Sequence, residues 1–173
     1  SQEFLHDKYG NKERKKKRKK EKGIKNIDFK SVYIMDNGDV IVNAEEFYIT
    51  TVSNSKSEGG GTRFVYHFDD IISLRLDNDG NLKWARNINK RQTGFDNSSY
   101  TSIPVGEDSY FFINCSDNIK KLSADRISFR QTKAKKSNLY MIRINQNGDF
   151  DFKKLIDDKE SKVYYKVNNG TIN

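Results

Sequence analysis

The feature that most restricts the fold is an internal match. Residues 70–88 (DIISLRLDNDGNLKWARNI) align without a gap to residues 138–156 (NLYMIRINQNGDFDFKKLI), at an offset of 68 residues. Ile71 pairs with Leu139, Ile72 with Tyr140, Leu74 with Ile142, Arg75 with Arg143 and Leu76 with Ile144. Gly80 pairs with Gly148, Leu82 with Phe150, Trp84 with Phe152 and Ile88 with Ile156. Apolar character survives at almost every matched site, which is what one structural unit used twice requires. Upstream, residues 40–45 (VIVNAE) resemble residues 111–116 (FFINCS), with Asn43 opposite Asn114, so each unit holds at least three strands.

The matched segment reads as a hairpin. Alternation puts Ile72, Leu74 and Leu76 on one face, and Leu82 and Trp84 on one face of the returning strand. The intervening Asn78-Asp79-Gly80 and Gln146-Asn147-Gly148 supply the positive φ that a tight connection needs, as do Asn37-Gly38 and Gly106 ahead of the next strands. The loops differ between the units. Residues 53–62 (SNSKSEGGGT) read as a flexible connection, because no Lys-Ser/Thr follows Gly59, Gly60 and Gly61 as a phosphate loop demands. Residues 117–137 read as a Lys-rich insertion with room for a short helix.

Composition agrees with a folded β domain. Aromatic residues make up 12%, with 11 Phe and 9 Tyr, far from the aromatic-poor signature of disorder, although only 34% of residues are hydrophobic. The net charge of +8 is concentrated in one segment: residues 12–22 hold nine of the 32 basic residues and two of the 24 acidic ones. Lys12, Arg14, Lys15, Lys16, Lys17, Arg18, Lys19, Lys20 and Lys22 form a candidate contact for an anionic surface. The run lacks the interleaved aromatics of a nucleic-acid platform, and the remaining chain is nearly neutral, so nucleic acid is a disfavoured partner.

Residues 163–172 (VYYKVNNGTI) resemble residues 32–41 (VYIMDNGDVI), the lead-in of a unit. The expected division is a basic N-terminal segment or connection over 1–30, a first β unit over 31–100, a second over 101–162 and the start of a further one over 163–173. The expected class is all-β and propeller-like, with about two blades of antiparallel strands. Two such units are too few to close a ring, so they would belong to a larger propeller or be covered by a protein partner.

The pattern of Asp70, Arg75, Leu76, Asp77, Gly80 and Trp84 resembles the repeats of exported β-propeller proteins common in Bacteroidetes, including the seven-bladed group. The likeness spans roughly residues 31–173, and the second copy departs from it at Asn138 and at Phe152. It implies an exported, periplasmic or surface-associated scaffold and no particular enzyme activity.

Other candidate sites read more simply as structure. Asp77, Asp79 and Asn81, like Asn145, Asn147 and Asp149, have the first spacings of a calcium loop, but Gly80 comes two positions early and Ile88 stands where a bidentate Glu is needed. Glu45 and Glu46 are a carboxylate pair that a strand would point to opposite faces. Asp69 with Asp70 and Asp157 with Asp158 read as solvated strand ends. Trp84 is expected to pack between blades and Cys115 to face a core, while His67 has no nucleophile motif beside it. One cysteine and two histidines argue against a zinc site, and neither a metal nor a cofactor is expected. The preferred function is a non-enzymatic scaffold or protein-interaction module. Its rivals are glycan binding through Phe95, Tyr100 and Phe129, and a propeller enzyme whose active site lies on other blades.

Overall fold

The computed structural model describes residues 1–10, 26–53, 61–94, 98–117, 119–121, 127–130, 137–161 and 167. Helix α1 (Gln2–Tyr9) precedes β1 (Ile27–Ile34), β2 (Val40–Ser53), β3 (Thr62–Leu76) and β4 (Leu82–Thr93). Then come β5 (Tyr100–Val105), β6 (Asp108–Cys115), β7 (Lys120–Lys121), β8 (Ile127–Arg130), β9 (Asn138–Ile144) and β10 (Phe150–Ile156), and α2 (Asp158–Ser161) closes the series. One sheet runs in the order β1-β2-β3-β4-β8-β7 and the other β10-β9-β6-β5. All pairings are antiparallel except β4 with β8. The chain is therefore all-β, and neither sheet closes on itself.

Each sheet contains a four-strand meander, β1 to β4 in the first and β5, β6, β9, β10 in the second. The matched segments form the last hairpin of each. Three hairpin turns share one geometry. Met35, Asp77 and Asn145 each donate a backbone N–H to the residue four places on, and Gly38, Gly80 and Gly148 donate back to them. These glycines have φ near +85°, in the left-handed region, while Asn78, Asp79 and Asn147 stay at negative φ. The turns are thus three-residue loops with a glycine bulge rather than mirror-image two-residue turns. Asp77 Oδ1 accepts the N–H groups of Asp79 and Asn81, and Asn145 Oδ1 those of Asn147 and Asp149, so the calcium-like spacing serves the turn itself.

Two registers differ from the sequence match. Leu82 pairs with Leu76, but Trp84 pairs with Arg75, because Lys83 is an extra residue in the strand. Leu82 and Trp84 therefore lie on opposite faces, and Trp84 is buried while Leu82 is exposed. Upstream, Asn43 pairs with Ser73 and Phe112 with Met141, the residue matched to Ser73. The counterpart of Asn43 is Phe112, two residues before Asn114. The insertion between β6 and β9 supplies β7 and β8, which extend the first sheet at its β4 edge; among its described residues there is no helix.

The sheets pack face to face. Ile71, Trp84 and Ile88 of the first meet Phe111, Ile113, Cys115, Tyr140, Ile142 and Ile144 of the second, with Phe129 of β8 closing one side. Each such aliphatic side chain contributes about 1.5–3 kcal/mol when fully buried. Trp84 sits against the second sheet's last turn, its indole N–H donating to the Gln146 carbonyl at 3.1 Å. Helix α1 covers part of the first sheet's other face, where Phe4 packs with Ala44, Ile72 and Ala85. Ser1 caps it by accepting the Phe4 N–H at 3.2 Å.

The turn glycines make a matched test. A Cβ on Gly148 would lie 2.9 Å from the Trp84 ring, whereas one on Gly80 meets nothing within 4 Å. Gly148→Ala is expected to lose about 2–4 kcal/mol, combining left-handed strain with overpacking, and Gly80→Ala only about 1 kcal/mol. Urea denaturation of the two variants checks this difference.

Candidate functional site

Polar residues are unusually abundant between the sheets. Glu45 on β2 and Lys90 on β4 form an ion pair with both side chains wholly buried. Lys90 also donates to the Phe68 carbonyl at 3.0 Å and to Gln92 Oε1 at 3.1 Å. From the second sheet's side, Ser99 Oγ donates to Glu45 at 2.6 Å and the Ser99 N–H to Gln92 at 3.0 Å. Gln92 in turn donates to the Asn114 carbonyl at 2.5 Å. These bonds hold Ser99 at φ +75°, a conformation a serine seldom adopts unaided. Burial pushes the Lys90 pKa below its usual range despite Glu45.

A second cluster lies at the turn end of the stack. Arg75, almost fully buried, donates through Nε to Asp39 at 2.6 Å and through its Nη atoms to the Glu107 carboxylate and carbonyl. Burial opposes the Arg75 charge, but Glu107 and Asp39 outweigh it and raise the pKa. Glu107 belongs to the β5–β6 turn, so this cluster also bridges the two sheets. Between the clusters, Asn43 accepts from Ser73 at 2.7 Å and donates to Ser102 at 3.2 Å, while Tyr33 donates to the Ser102 carbonyl at 2.5 Å.

The opposite, outer face of the first sheet is different. Val32 pairs with Val42, Ile34 with Val40 and Phe29 with Ala44, which places all six on this face. Helix α1 covers only its far half. There Asp7 receives Arg86 Nε at 2.6 Å and Nη2 at 3.0 Å, and Lys8 bridges Glu46 at 2.7 Å and Asp70 at 3.0 Å. Phe29 remains 70% exposed, Val32 61% and Ile34 80%. This apolar strip beside the β1–β2 turn is the candidate functional surface.

Glu45 and Glu46 point to opposite faces, one to Lys90 and the other to Lys8. Asp69 and Asp70 are not solvated strand ends: Asp69 accepts from the Tyr48 hydroxyl, and Asp70 from Lys8, Asn87 and the Lys90 N–H. No signal in the sequence finds them, because the extra residue that β3 holds between Phe68 and Ile71 relative to β2 shows only once the strands are paired. His67 stacks on Tyr48 at 4.4 Å and its Nε2 lies 2.8 Å from Thr50 Oγ1. Tyr100 and Phe129 are buried in the core and present no platform to a glycan; they lost that role because β5 and β8 are core strands, not loops. Phe95 and the basic residues Lys12, Arg14, Lys15, Lys16, Lys17, Arg18, Lys19, Lys20 and Lys22 lie outside the described residues, as do 163–173 except Val167.

Asp117, Asp157 and Asp158 cluster closely enough to suggest a cation site. The Lys154 ammonium already stands 2.6 Å from Asp117 and 2.7 Å from Asp157, and these bonds raise its pKa while lowering that of Asp157. Lysine thus supplies the positive charge there. A shallow cleft is lined by Arg86, Ile127, Asp149, Phe150, Asp151 and Phe152, and its Arg86 is shared between Asp7 and the Gly148 carbonyl.

No family model, curated protein or solved structure matches the chain. No helix among the described residues is long and apolar enough to cross a membrane.

Removing one member of the Glu45–Lys90 pair leaves a buried, uncompensated charge. Lys90→Met and Glu45→Leu are each expected to cost about 3–5 kcal/mol, and the double variant clearly less than their sum. Urea denaturation of the three proteins measures the coupling. Burial raises the Cys115 thiol pKa, so a thiol-reactive dye at pH 8 should label native protein far more slowly than protein in urea.

Proposed function

We propose that the chain is part of a propeller-type, non-enzymatic scaffold or protein-interaction module. The observation that carries this reading is the way the meanders stack. Through the 68-residue match, Tyr140, Ile142 and Ile144 correspond to Ile72, Leu74 and Leu76. The first set faces the neighbouring sheet, whereas the second lies on the face away from it. One kind of face therefore packs on the other kind, a head-to-tail relation that can be continued sheet after sheet. Stacked four-stranded meanders are the building plan of propellers.

The titratable groups support a structural role, since Glu45, Lys90, Arg75, Asp39, Asp7 and Arg86 are all engaged in bonds that join elements. The resemblance to exported bacterial propeller repeats extends the reading to an exported, periplasmic or surface-associated protein, with further blades or a protein partner on the open faces.

Intact mass and negative-stain imaging of the natural protein test the proposal. A ring of stacked sheets is the expected result, and a lone two-sheet particle would overturn it. Glycan binding is a second reading favoured by one observation: on the projecting β2–β3 arm, Phe64 and Ile49 are exposed beside the stacked Phe47 and Tyr66. Glycan-array binding that disappears in Phe64→Ala would favour it over the scaffold.

A further inference from the structure

The head-to-tail relation leaves each kind of face open once. The first sheet's outer face is the kind that docks, and the second sheet's outer face is the kind that is docked upon, because Leu139, Met141 and Arg143 correspond to Ile71, Ser73 and Arg75. Among the described residues, both are covered at the same end. Helix α1 lies over Ala44, Ile72 and Ala85, and Thr101 on β5 donates to the Val167 carbonyl. The turn-end halves are left open by the described residues. Ile34 and Val32 stand exposed on one, and Val105 is 57% exposed on the other.

The contrast between counterparts shows what is missing. Phe29 pairs with Ala44 as Tyr100 pairs with Ile113, yet Phe29 is 70% exposed and Tyr100 only 7%. Leu76 is partly exposed where its counterpart Ile144 is fully buried. The charges repeat the relation. Arg143 faces Asp108 at 3.7 Å and Asp151 at 2.9 Å, as Arg75 faces Asp39, but its side chain is 40% exposed. Its Nε–H, the group that Asp39 takes in Arg75, is buried without an acceptor among the described residues. Arg75 receives a further carboxylate, Glu107, from the first turn of the sheet docked on it. The first turn of the other docking face carries an exposed acid as well, Asp36.

We infer that a second copy of this chain docks the outer face of its first sheet, at Val32, Ile34 and Leu76, on the outer face of the second sheet, at Val105, Tyr110 and Arg143. Asp36 of one copy then stands to Arg143 of the other as Glu107 stands to Arg75. This rests on the stacking reading above and names the partner of the open strip. Such a contact is heterologous, so it builds rings or open chains of copies rather than a two-fold dimer.

Sedimentation velocity across a concentration series tests it with the whole chain. Wild type should associate in a concentration-dependent way, and Ile34→Lys, which alters an exposed side chain, should be monomeric while retaining its Cys115 protection. Asp36→Lys and Arg143→Glu should each weaken association about fivefold, and an equimolar mixture of the two should recover it, because either order of contact between unlike copies then pairs opposite charges. A wild type that stays monomeric to about 1 mM, an affinity floor of roughly 4 kcal/mol, overturns the inference. So does association that ignores Ile34→Lys or is not recovered by mixing. A monomeric wild type whose natural protein still forms a ring of stacked sheets would refute self-docking alone and leave the stacking reading standing.

Discussion

The stack depends on a buried salt bridge that its own sheet does not satisfy alone. Glu45 and Lys90 belong to the same sheet, two strands apart, and taking both charges out of water costs several kcal/mol per ion before any return. Part of the return comes from the other sheet's side, through the Ser99 hydroxyl on Glu45 and through Gln92, whose amide is anchored by the Ser99 N–H and the Asn114 carbonyl. If the sheets separated, water would replace these bonds and the apolar contacts around Phe111 and Ile142 would be lost with them. If they slid by one residue, Ser99 would leave Glu45 and the charge would stay buried without its donor. The polar layer therefore fixes the register of a packing that apolar contacts alone would leave slippery.

A chain with 34% hydrophobic residues has reason to use such a layer. Its apolar core gathers around Trp84, Tyr140 and Phe129, and hydrogen-bonded side chains such as Asn43, Ser73 and Ser102 fill space beside it. Arg75 shows the economy. One guanidinium binds Asp39 within its own sheet and Glu107 on the next, so a single side chain aligns a strand pair and a sheet pair together. Its planar fork suits that double task better than a lysine's point charge would.

The class and the hairpins were legible in the sequence because they rest on local rules. Alternation at Ile72, Leu74 and Leu76 and glycine at Gly80 and Gly148 are short-range signals, and strand pairing follows them directly. What escaped was set by single-residue insertions. Lys83 moves Trp84 to the face opposite Leu82, and no periodicity announces a bulge before the partner strand is known. Asn43 and Asn114 look equivalent by chemistry, but pairing puts them two residues apart, which alternation tolerates because parity is kept. The edge addition of β7 and β8 was illegible for another reason. It joins β4 across more than 30 residues of chain, a parallel pairing that no neighbouring segment dictates.

The proposed docking surface was legible only through a contrast that needs three dimensions. Val32 and Ile34 are ordinary strand residues by composition, and an exposed aliphatic side chain means little alone. They acquire meaning because the matching positions of the second sheet face a partner and theirs do not. Helix α1 explains why the face is half closed: Asp7 and Lys8 bind Arg86, Glu46 and Asp70 at the far end, so the helix is held there by charge and does not extend over β1. A face sealed along its length would need no further sheet, and a face wholly bare would invite indiscriminate contact. Covering the far half and leaving the turn end open confines docking to the place where Asp36 lies ready for an arginine, so that charge selects the orientation that the apolar strip alone could not.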